Sequence, residues 1–532
     1  MARTRLFGEV EGALAQARQA LGETSPSMRA ISRRAALALM GAAAACTPSP
    51  ATTSEEAPAL AGDAGTIAIV GGGVSGLVAA WRLAIAGVRT EIFEASGRTG
   101  GRIYTLRDFT TEGQFCELGG EFVSSGDSAL TRLCGELGVG LERLGPAGET
   151  AKTVFDIGGN QYTDADLIDP IAKTGAFLPA ATRIAADQAA LLDGKGEWSA
   201  RAHELDAMPL SKYLEGLRTT TQGWVIDLIA LAWRSEFGIP VSEQSSLNLI
   251  DIIGASGDQA FALFGKHDGA FRITGGSSSL PDALAARLTS TPLSDRTSLH
   301  LSHQLYAIAR DGVGLQLTFR PEGGVPLKKT FARVIMALPF TRLRNMKGLG
   351  GLGIPADKMT VISELGYGAN AKLAVGTSSR PWQGGVAGVQ APVTGTIYSD
   401  RSFQLVWDTS AGQPGAGGVL TNYLAGDAAR REEAQALAQL EAGMASLAPK
   451  VARALLPKIR ASFFWPNHPH TRGSYAGCLV GQYTSFAGIA ARSELDGRLV
   501  FAGEHTSVGA MGSMNGAVEA GERAAREIMA PI

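Results

Sequence analysis

The sequence contains little cysteine. Its 532 residues include only four, Cys46, Cys116, Cys134 and Cys478, and their spacing matches no metal-binding pattern. Disulfide scaffolds carry far more cysteine for their length, and structural zinc sites need closely spaced ligand pairs. The scarcity therefore argues against a disulfide framework and a structural zinc site, and we predict no metal ligands.

An excess of either charge is also absent. The chain has 48 basic and 50 acidic residues, a formal net charge of −2, and no run of lysine or arginine. Nucleic-acid-binding domains carry clustered positive charge, so we expect no nucleic-acid partner. No Ser-His-Asp arrangement or metal cluster points to hydrolysis. The length exceeds that of a domain with one core, so two or three compact units are expected.

An apolar run near the amino terminus is too short to cross a membrane. Arg33 and Arg34 precede Ala35–Ala45, which would span roughly 16 Å as a helix, about half the hydrocarbon core of a bilayer. The pattern resembles a twin-arginine export signal, and the segment ending at Cys46 also resembles a lipoprotein cleavage box. We expect twin-arginine export to the periplasm, with lipid anchoring at Cys46 left open. A frayed alanine-rich helix is the alternative interpretation.

A strand, a helix and a second strand follow a proline-rich tether. Thr66–Val70 is a short apolar run typical of a buried parallel strand. The next segment has helical spacing and stops at Gly87, a suitable C-cap. Thr90–Phe93 forms the second strand and ends at Glu94. Together these segments predict one complete βαβ unit.

The loop between the first strand and the helix has dinucleotide-binding spacing. Gly71 allows the tight turn, Gly73 lets the backbone approach a pyrophosphate, and Gly76 permits close packing of helix and strand. Glu94 is placed to accept a hydrogen bond from a ribose hydroxyl. A second glycine-rich match, Gly348–Gly353, runs into proline without a helix, and we interpret it as a loop.

Three further segments have the character of cofactor loops. In Arg98–Arg102, backbone amides and two guanidinium groups can wrap a pyrophosphate. The pair Gly119 and Gly120 brings backbone close to a flat or bulky group. Near the carboxyl terminus, Glu504 is placed to hold a ribityl hydroxyl, and the helix beginning near Met514 directs its amides at the pyrimidine edge of a flavin. One domain is therefore assembled from separated stretches of chain.

These motifs together resemble those of the flavin-containing amine oxidase family, which includes monoamine, polyamine and L-amino acid oxidases. The resemblance runs from about Thr66 to Met529 and rests on the fingerprint with Glu94 and on the segments RTGGR, ELGG, FAGEH and MNGAVEAGERAA. It implies bound FAD, and it matches Leu305 to a strand position whose backbone meets the adenine. The residues assigned to cofactor binding are Gly71, Gly73, Gly76, Glu94, Arg98, Gly100, Gly101, Arg102, Gly119, Gly120, Glu121, Leu305, Glu504 and Met514.

The resemblance also implies a fold class, α/β combined with α+β in a glutathione-reductase-like amine oxidase architecture. A Rossmann-like FAD-binding domain is built from residues 64–125, 265–345 and 465–532. A discontinuous mixed substrate domain with a helical part covers 126–264 and 346–464, and 1–63 is the export signal and linker. Pattern alone makes the stretch from about Ser125 to Phe264 mainly helical.

The reaction centre is likewise assigned by resemblance. Lys372 matches the family lysine that holds a water against the flavin N5, and Trp465 with Tyr475 matches the family stretch that faces the flavin, with Tyr475 as one aromatic wall of the amine slot. Ser474 stands where some relatives carry a flavin-linked cysteine, so covalent attachment there is ruled out. Ser513 stands at the usual second aromatic wall, and Trp407 and Trp233 are candidate substitutes.

The residues leave amine and α-amino acid substrates open. Many amino acid oxidases place an arginine just after the pair matching Gly119 and Gly120, whereas this sequence has Glu121 there. Glu121 either recognises a cationic substrate end or bonds backbone amides near the ring, and Arg234 could supply a guanidinium from another direction.

The predicted activity is removal of a hydride from the carbon beside an amine nitrogen, giving an imine, with dioxygen reduced to hydrogen peroxide. Alternatives on the same scaffold are an L-amino acid oxidase and an amino acid 2-monooxygenase. A desaturase or porphyrinogen oxidase, a nicotinamide dehydrogenase and a non-catalytic flavin-binding lipoprotein are less favoured. A homodimer is left open.

Overall fold

The computed structural model describes residues 65–144, 152–167, 175–252, 268–386, 388–389 and 393–531. The twin-arginine pair and Cys46 lie outside these residues. The β-strands, in chain order, are β1 (Ile67–Val70), β2 (Thr90–Phe93), β3 (Thr105–Leu106), β4 (Cys116–Glu117), β5 (Phe122–Val123), β6 (Leu141–Arg143), β7 (Lys152–Ile157), β8 (Asn160–Thr163), β9 (Phe271–Ile273), β10 (Thr297–His300), β11 (His303–Asp311), β12 (Gly314–Pro321), β13 (Leu327–Phe331), β14 (Val334–Met336), β15 (Asn370–Thr377), β16 (Val393–Ser399), β17 (Leu405–Asp408), β18 (Gly418–Ala425), β19 (Leu455–Phe464) and β20 (Leu499–Phe501).

The α-helices are interspersed among these strands. In chain order they are α1 (Val74–Ile85), α2 (Ser128–Leu137), α3 (Asp164–Leu167), α4 (Leu178–Ala189), α5 (Ala200–Asp206), α6 (Leu210–Leu217), α7 (Gly223–Phe237), α8 (Leu247–Ile250), α9 (Ser279–Leu288), α10 (Phe340–Leu343), α11 (Ala356–Glu364), α12 (Glu433–Leu447), α13 (Pro449–Ala454), α14 (Gln482–Ser485) and α15 (Met514–Met529).

The predicted βαβ unit is confirmed as β1, α1 and β2. β1 pairs in parallel with β2, with Ile67 opposite Thr90 and Val70 opposite Phe93. All four residues of β1 are buried, as expected for a central parallel strand covered on both faces. The glycine-rich loop therefore lies at the carboxyl end of a buried strand.

A five-stranded parallel sheet collects strands from three distant parts of the chain. Its order is β10, β2, β1, β14, β20. On one face, Ile69 and Ile335 pack in a core with α1, α9 and α15. On the other face, Val70 and Met336 pack against the antiparallel sheet β11, β12, β13. This layering makes the chain a mixed α/β protein with several sheets, while the exact domain boundaries stay predictions.

A second, seven-stranded sheet has the order β19, β15, β18, β17, β16, β7, β8. The described part of the region from Ser125 to Phe264 is mainly helical, as predicted, but it also contributes β7 and β8 to this sheet, which the prediction did not include. The run in β7 is buried at five of its six positions, so it shows no two-residue alternation. Gly158 and Gly159 both have positive φ and join β7 to β8 in a two-residue hairpin, a signal that the sequence did contain.

Neither a membrane-spanning helix nor a metal-binding cluster is found in the described ranges. No helix there is both long enough and apolar enough to cross a membrane. No group of three or more His, Cys, Asp or Glu side chains in those ranges is arranged to hold a metal ion. Cys116, Cys134 and Cys478 are buried free thiols.

Candidate active site

One cavity brings together most of the residues singled out from the sequence. It lies where the parallel sheet meets the seven-stranded sheet. The predicted residues that line it are Gly71, Gly73, Glu94, Arg98, Gly100, Gly101, Arg102, Gly119, Gly120, Leu305, Lys372, Trp465, Tyr475, Glu504 and Met514. Gly76 and Glu121 do not line it, for reasons that differ.

The three fingerprint glycines have three separate steric roles. Gly71 has a φ of 111°, and a Cβ there would lie 2.5 Å from Ala337 O. A Cβ at Gly76 would lie 2.0 Å from Gly71 O, so Gly76 serves the packing of α1 on β1, as predicted. A Cβ at Gly73 would meet nothing nearer than 3.9 Å and would point into open space beside Gly101. Only Gly73 therefore keeps space clear for a ligand.

The amino-terminal end of α1 fits a phosphate group. The side-chain oxygen of Ser75 lines the cavity, is buried, and has no hydrogen-bond partner among the described residues. The first amides of a helix also have no acceptor within the helix, and the helix dipole makes this end positive. An oxyanion placed here would satisfy both the hydroxyl and the amides.

Glu94 holds the other side of this loop. Its carboxylate accepts hydrogen bonds from Gly72 N at 2.7 Å, from Ser96 N at 2.8 Å and from the Ser96 hydroxyl at 2.8 Å. A carboxylate has about four acceptor positions, so one remains for a ribose hydroxyl. The position at the end of β2 agrees with the role predicted for Glu94.

The two arginines of the second loop behave differently from each other. Arg98 donates to Thr99 O, Gly101 O and Ile103 O, so its guanidinium fixes the shape of the loop. Burial lowers the pKa of Arg98, and burial and neighbouring Arg472 do the same to cavity-lining Arg342. Neither cation forms an ion pair with a carboxylate of the described residues. Two desolvated cations beside an open helix end fit a pyrophosphate.

Arg102 is engaged by a carboxylate rather than left free. It bonds Glu504 at 2.5 Å and Ser474 O at 3.0 Å. Glu504 also accepts from Ala476 N at 3.2 Å and from Gly512 N at 2.7 Å. The pair joins segments that lie 402 residues apart in the chain. Arg102 therefore lines the cavity as half of an ion pair that is neutral overall.

Lys372 and Glu121 form a second buried ion pair. The Lys372 Nζ donates to Glu121 Oε2 at 2.7 Å and to Gly119 O at 2.9 Å. The side chains of Lys372 and Glu121 are 5% and 2% exposed. Glu121 is not among the cavity-lining residues, so the cavity does not support its assignment as a cofactor-binding residue. Its carboxylate accepts from the side chains of Lys372, Trp407 and Thr409, and these partners match neither interpretation from sequence, a substrate anchor or an acceptor for backbone amides.

Aromatic side chains close the Lys372 end of the cavity. Trp465 is 5% exposed and donates through Nε1 to Leu118 O at 2.9 Å. Tyr475 donates to Glu236 O, and its hydroxyl lies 3.0 Å from that of Tyr423. Burial raises the pKa of both tyrosines, so both phenols stay protonated. The cavity end is thus aromatic, with neutral hydroxyl groups.

Tyr423 is a cavity-lining aromatic residue at the Lys372 end that sequence reasoning missed. It lies on β18 directly opposite Lys372 on β15. Trp407 and Trp233, the substitutes suggested for the second aromatic wall, do not line the cavity. Trp407 donates to Glu121, and Trp233 donates to Asn248 O in the core. Only the pairing of two strands distant in sequence could have indicated Tyr423.

Both serines at family-variable positions have local partners. Ser513 is the N-cap of α15, and its side chain accepts from Gly516 N at 2.9 Å. Ser474 donates to Asn370 Oδ1 at 2.6 Å, and Asn370 also lines the cavity. Capping and this buried bond explain serine at each position. Other lining residues that the sequence did not reveal include Ser75, Arg342, Asn370, His468 and His470.

Arg234 does not supply the guanidinium considered for a substrate carboxylate. It is not among the cavity-lining residues. Burial lowers its pKa, and the neighbouring cation Arg431 lowers it further. Arg234 therefore does not form part of the cavity wall.

Comparison with protein families gives one match over most of the chain. The model for flavin containing amine oxidoreductases matches residues 74–529. Human flavin-containing amine oxidase B is 24% identical over 474 residues, covering 87% of this chain and 86% of that protein. The L-amino acid dehydrogenase of a Synechocystis strain is 26% identical over 490 residues, covering 87% of this chain and 94% of that protein.

Solved structures share the fold. Putrescine oxidase bound to putrescine superposes with a TM-score of 0.71 at 20% identity, covering 88% of this chain and 99% of that one. Cyclohexylamine oxidase from Brevibacterium oxydans gives a TM-score of 0.71 at 20% identity, covering 87% of this chain and 98% of that one. These likenesses show a shared fold.

Proposed function

Because this chain belongs to the flavin-containing amine oxidoreductase family and is an FAD-binding oxidoreductase, we propose that it oxidises simple amines at the carbon beside the nitrogen and passes the electrons to dioxygen. The products are an imine, which water hydrolyses to an aldehyde and ammonia, and hydrogen peroxide. FAD, when bound, supplies the acceptor that takes the hydride from that carbon and later delivers two electrons to dioxygen.

The charge balance at the Lys372 end carries the preference for an amine without a carboxylate. Lys372 is paired with Glu121 and Arg102 with Glu504, so each cation there is already neutralised. Arg234, the remaining candidate for a carboxylate clamp, is not a lining residue. An α-carboxylate buried at the Lys372 end would therefore lack an unpaired cation, which costs free energy.

The same surroundings favour the neutral form of the amine. Tyr423, Tyr475 and Trp465 present aromatic faces and neutral hydroxyl groups. Removing an ammonium group from water without a counter-charge lowers its pKa, so the bound nitrogen releases its proton. A neutral amine keeps the lone pair that must help expel the hydride from the adjacent carbon.

The protein's own residues position the amine and exclude water. Tyr475 is fixed because its hydroxyl donates to Glu236 O, and Tyr423 is fixed by its bond to Tyr475. Fixed aromatic walls restrict the orientation of the substrate, which lowers the entropic part of the barrier. Lys372 places a cation in the cavity wall, where negative charge develops as dioxygen is reduced.

Pairs of substrates that differ only in a carboxylate test this proposal. The purified FAD-loaded protein is assayed for peroxide with putrescine and ornithine, phenethylamine and phenylalanine, and tryptamine and tryptophan. We expect each preferred amine to exceed its amino acid in kcat/KM by at least about tenfold, since an unpaired buried carboxylate costs more than about 1.4 kcal/mol. Protein stripped of FAD is the matched control.

Each contrary outcome identifies an alternative activity. Preference for the amino acid, with a keto acid as product, would indicate an L-amino acid oxidase. An amide product would indicate a monooxygenase. Substrate-dependent reduction of an artificial acceptor without peroxide would indicate a dehydrogenase, and no turnover of any kind would favour a non-catalytic flavoprotein.

We also propose that the protein is exported in folded form with FAD already bound. Arg33 and Arg34 ahead of a short apolar run support this proposal. Fractionation of cells making the full chain, compared with an Arg33→Lys and Arg34→Lys variant, tests it. Equal cytoplasmic retention of both forms would refute export by this route.

A further inference from the structure

Glu121 has a partner set that explains why a carboxylate stands beside the cavity without facing it. Its Oε2 accepts from Lys372 Nζ at 2.7 Å. Its Oε1 accepts from Trp407 Nε1 at 3.1 Å and from the Thr409 hydroxyl at 2.7 Å. The Thr409 hydroxyl also lies 2.9 Å from that of Thr421. Both carboxylate oxygens therefore accept hydrogen bonds, Oε2 from Lys372 and Oε1 from Trp407 and Thr409.

Lys372 has no other carboxylate partner among the described residues. Its only other hydrogen bond among the described residues is to Gly119 O, and its Nζ lies 5.1 Å from the ring centroid of Trp407. A buried ammonium without a counter-charge tends to lose its proton, and a single carbonyl acceptor does not offset the desolvation. Removing the charge of Glu121 should therefore convert Lys372 into a neutral amine.

The other titratable groups near Lys372 do not replace Glu121. Glu117, on β4, bonds Ser277 N and the Thr105 hydroxyl instead, and burial together with Glu121 raises its pKa to about 7. Burial keeps the Cys116 thiol protonated by raising its pKa, and Tyr423 on β18 stays a neutral phenol for the same reason. No other carboxylate in the described part of the chain lies within ion-pair distance of Lys372.

We propose that Glu121 is a positioning residue that keeps Lys372 positively charged and fixed in the cavity wall. Glu121 touches neither cofactor nor substrate and acts through Lys372 alone. The inference rests on the proposed function only in placing Lys372 beside the bound flavin, and it does not depend on which amine is oxidised.

Sulfite gives a readout that needs no substrate. This anion adds reversibly to oxidised flavin and bleaches its visible absorbance, and a neighbouring cation favours the addition. Sulfite dissociation constants are measured between about pH 6 and about pH 9 for wild type and for Glu121→Gln. At each pH the dissociation constant of the variant is divided by that of wild type. We expect the ratio to rise by about tenfold or more toward high pH, because the unpaired lysine loses its proton there.

Three further variants separate a charge effect from a structural one. Glu121→Asp keeps the charge and is expected to keep a flat ratio. Glu117→Gln removes an equally buried carboxylate that does not bond Lys372, and because the pKa of Glu117 is about 7, its ratio is read only between about pH 8 and about pH 9, where it should be flat. In a Lys372→Met background, Glu121→Gln should add no pH dependence. A flat ratio for Glu121→Gln alone, or the same slope without Lys372, would overturn the proposal.

Reoxidation provides a second measurement on the same proteins. Each variant is reduced with dithionite without air and mixed with oxygenated buffer. Glu121→Gln should reoxidise about tenfold more slowly than wild type at high pH and more nearly like it at low pH. The sulfite and reoxidation measurements need no amine substrate. They can therefore be interpreted even if no amine is oxidised, and the two proposals are tested independently.

Thermal unfolding tests the proposal even if Glu121→Gln is too unstable for the flavin measurements. An unpaired buried lysine destabilises the single variant, and Lys372→Met on top of it removes the unpaired charge. The double variant should therefore melt at a higher temperature than Glu121→Gln alone. A double variant that is no more stable than the single one would show that the charge on Lys372 does not depend on Glu121.

Discussion

Alanine at Gly73 should separate cofactor binding from folding. The backbone of Gly73 has φ of −71° and ψ of 172°, a conformation that alanine adopts without strain. The added methyl group would meet no protein atom closer than Gly101 Cα at 3.9 Å, yet it would project into the cavity where the backbone must approach the pyrophosphate. Crowding by one methyl group costs about 1–3 kcal/mol, so FAD should bind about 5- to 150-fold more weakly.

Two neighbouring glycines make this prediction specific. A methyl group at Gly76 would lie 2.0 Å from Gly71 O, so Gly76→Ala should destabilise the protein with or without FAD. A methyl group at Gly97 would meet nothing within 4 Å, so Gly97→Ala should change neither property. FAD fluorescence titrations give the affinity, and melting of the FAD-free proteins gives the stability. Wild-type affinity in Gly73→Ala, or a melting point lowered as in Gly76→Ala, would refute the steric role of Gly73.

Other predictions concern the reaction end, the core and pH. Lys372→Met should slow oxidation of the dithionite-reduced protein by about tenfold or more, measured by stopped-flow absorbance, and wild-type rates would exclude its role. Tyr423→Phe removes the 3.0 Å hydrogen bond to the Tyr475 hydroxyl, so kcat/KM for the amine should fall about fivefold with unchanged FAD content. An unaltered kcat/KM would show that this hydrogen bond does not help to position the substrate. Lys358→Met should lower the free energy of unfolding by about 3 kcal/mol in denaturant titrations, because three backbone carbonyls lose their donor. A change below about 1 kcal/mol would mean that water replaces the lysine as donor. Burial and Glu121 raise the pKa of Glu117 to about 7, above about 4.3 in the unfolded chain. The stabilising effect of protonated Glu117 is therefore present at low pH and is lost as the pH rises toward 7. Glu117→Gln should flatten this part of the plot of unfolding free energy against pH, and an unchanged slope would assign it to other groups.

Local patterns made the nucleotide-binding part predictable. The role of Gly76 follows from contacts with Gly71 and Ile69 within one βαβ unit, where sequence spacing sets distance, whereas Gly71 also lies against the distant Ala337 O. The hairpin at Gly158 and Gly159 is equally local, but the buried run before it lacks an alternating pattern and lies in a region predicted to be mainly helical. Burial on both faces removes the periodicity that distinguishes a strand from a helix.

The partners of charged side chains could not be predicted in the same way. Glu121 and Lys372 are 251 residues apart, and Tyr423 becomes a neighbour of Lys372 only because β15 and β18 pair. The sequence indicates a cationic substrate end or backbone amides as partners of Glu121 and a pyrophosphate as partner of Arg102. A charge whose partner lies on a distant strand has no local signature, so its availability to a ligand cannot be judged before the fold is known.

Whether Arg102 and Lys372 are paired with carboxylates affects which class of substrate the cavity can bind. If Arg102 and Lys372 were free, the cavity end would carry two positive charges and would attract an α-carboxylate. Because Glu504 and Glu121 neutralise them, the end is close to neutral, although two cations line it. The ion pairs also offset the cost of burying each cation. Thus a cationic wall for dioxygen reduction and a neutral slot for an uncharged amine can occupy one space, provided that Lys372 and Arg102 keep their carboxylate partners.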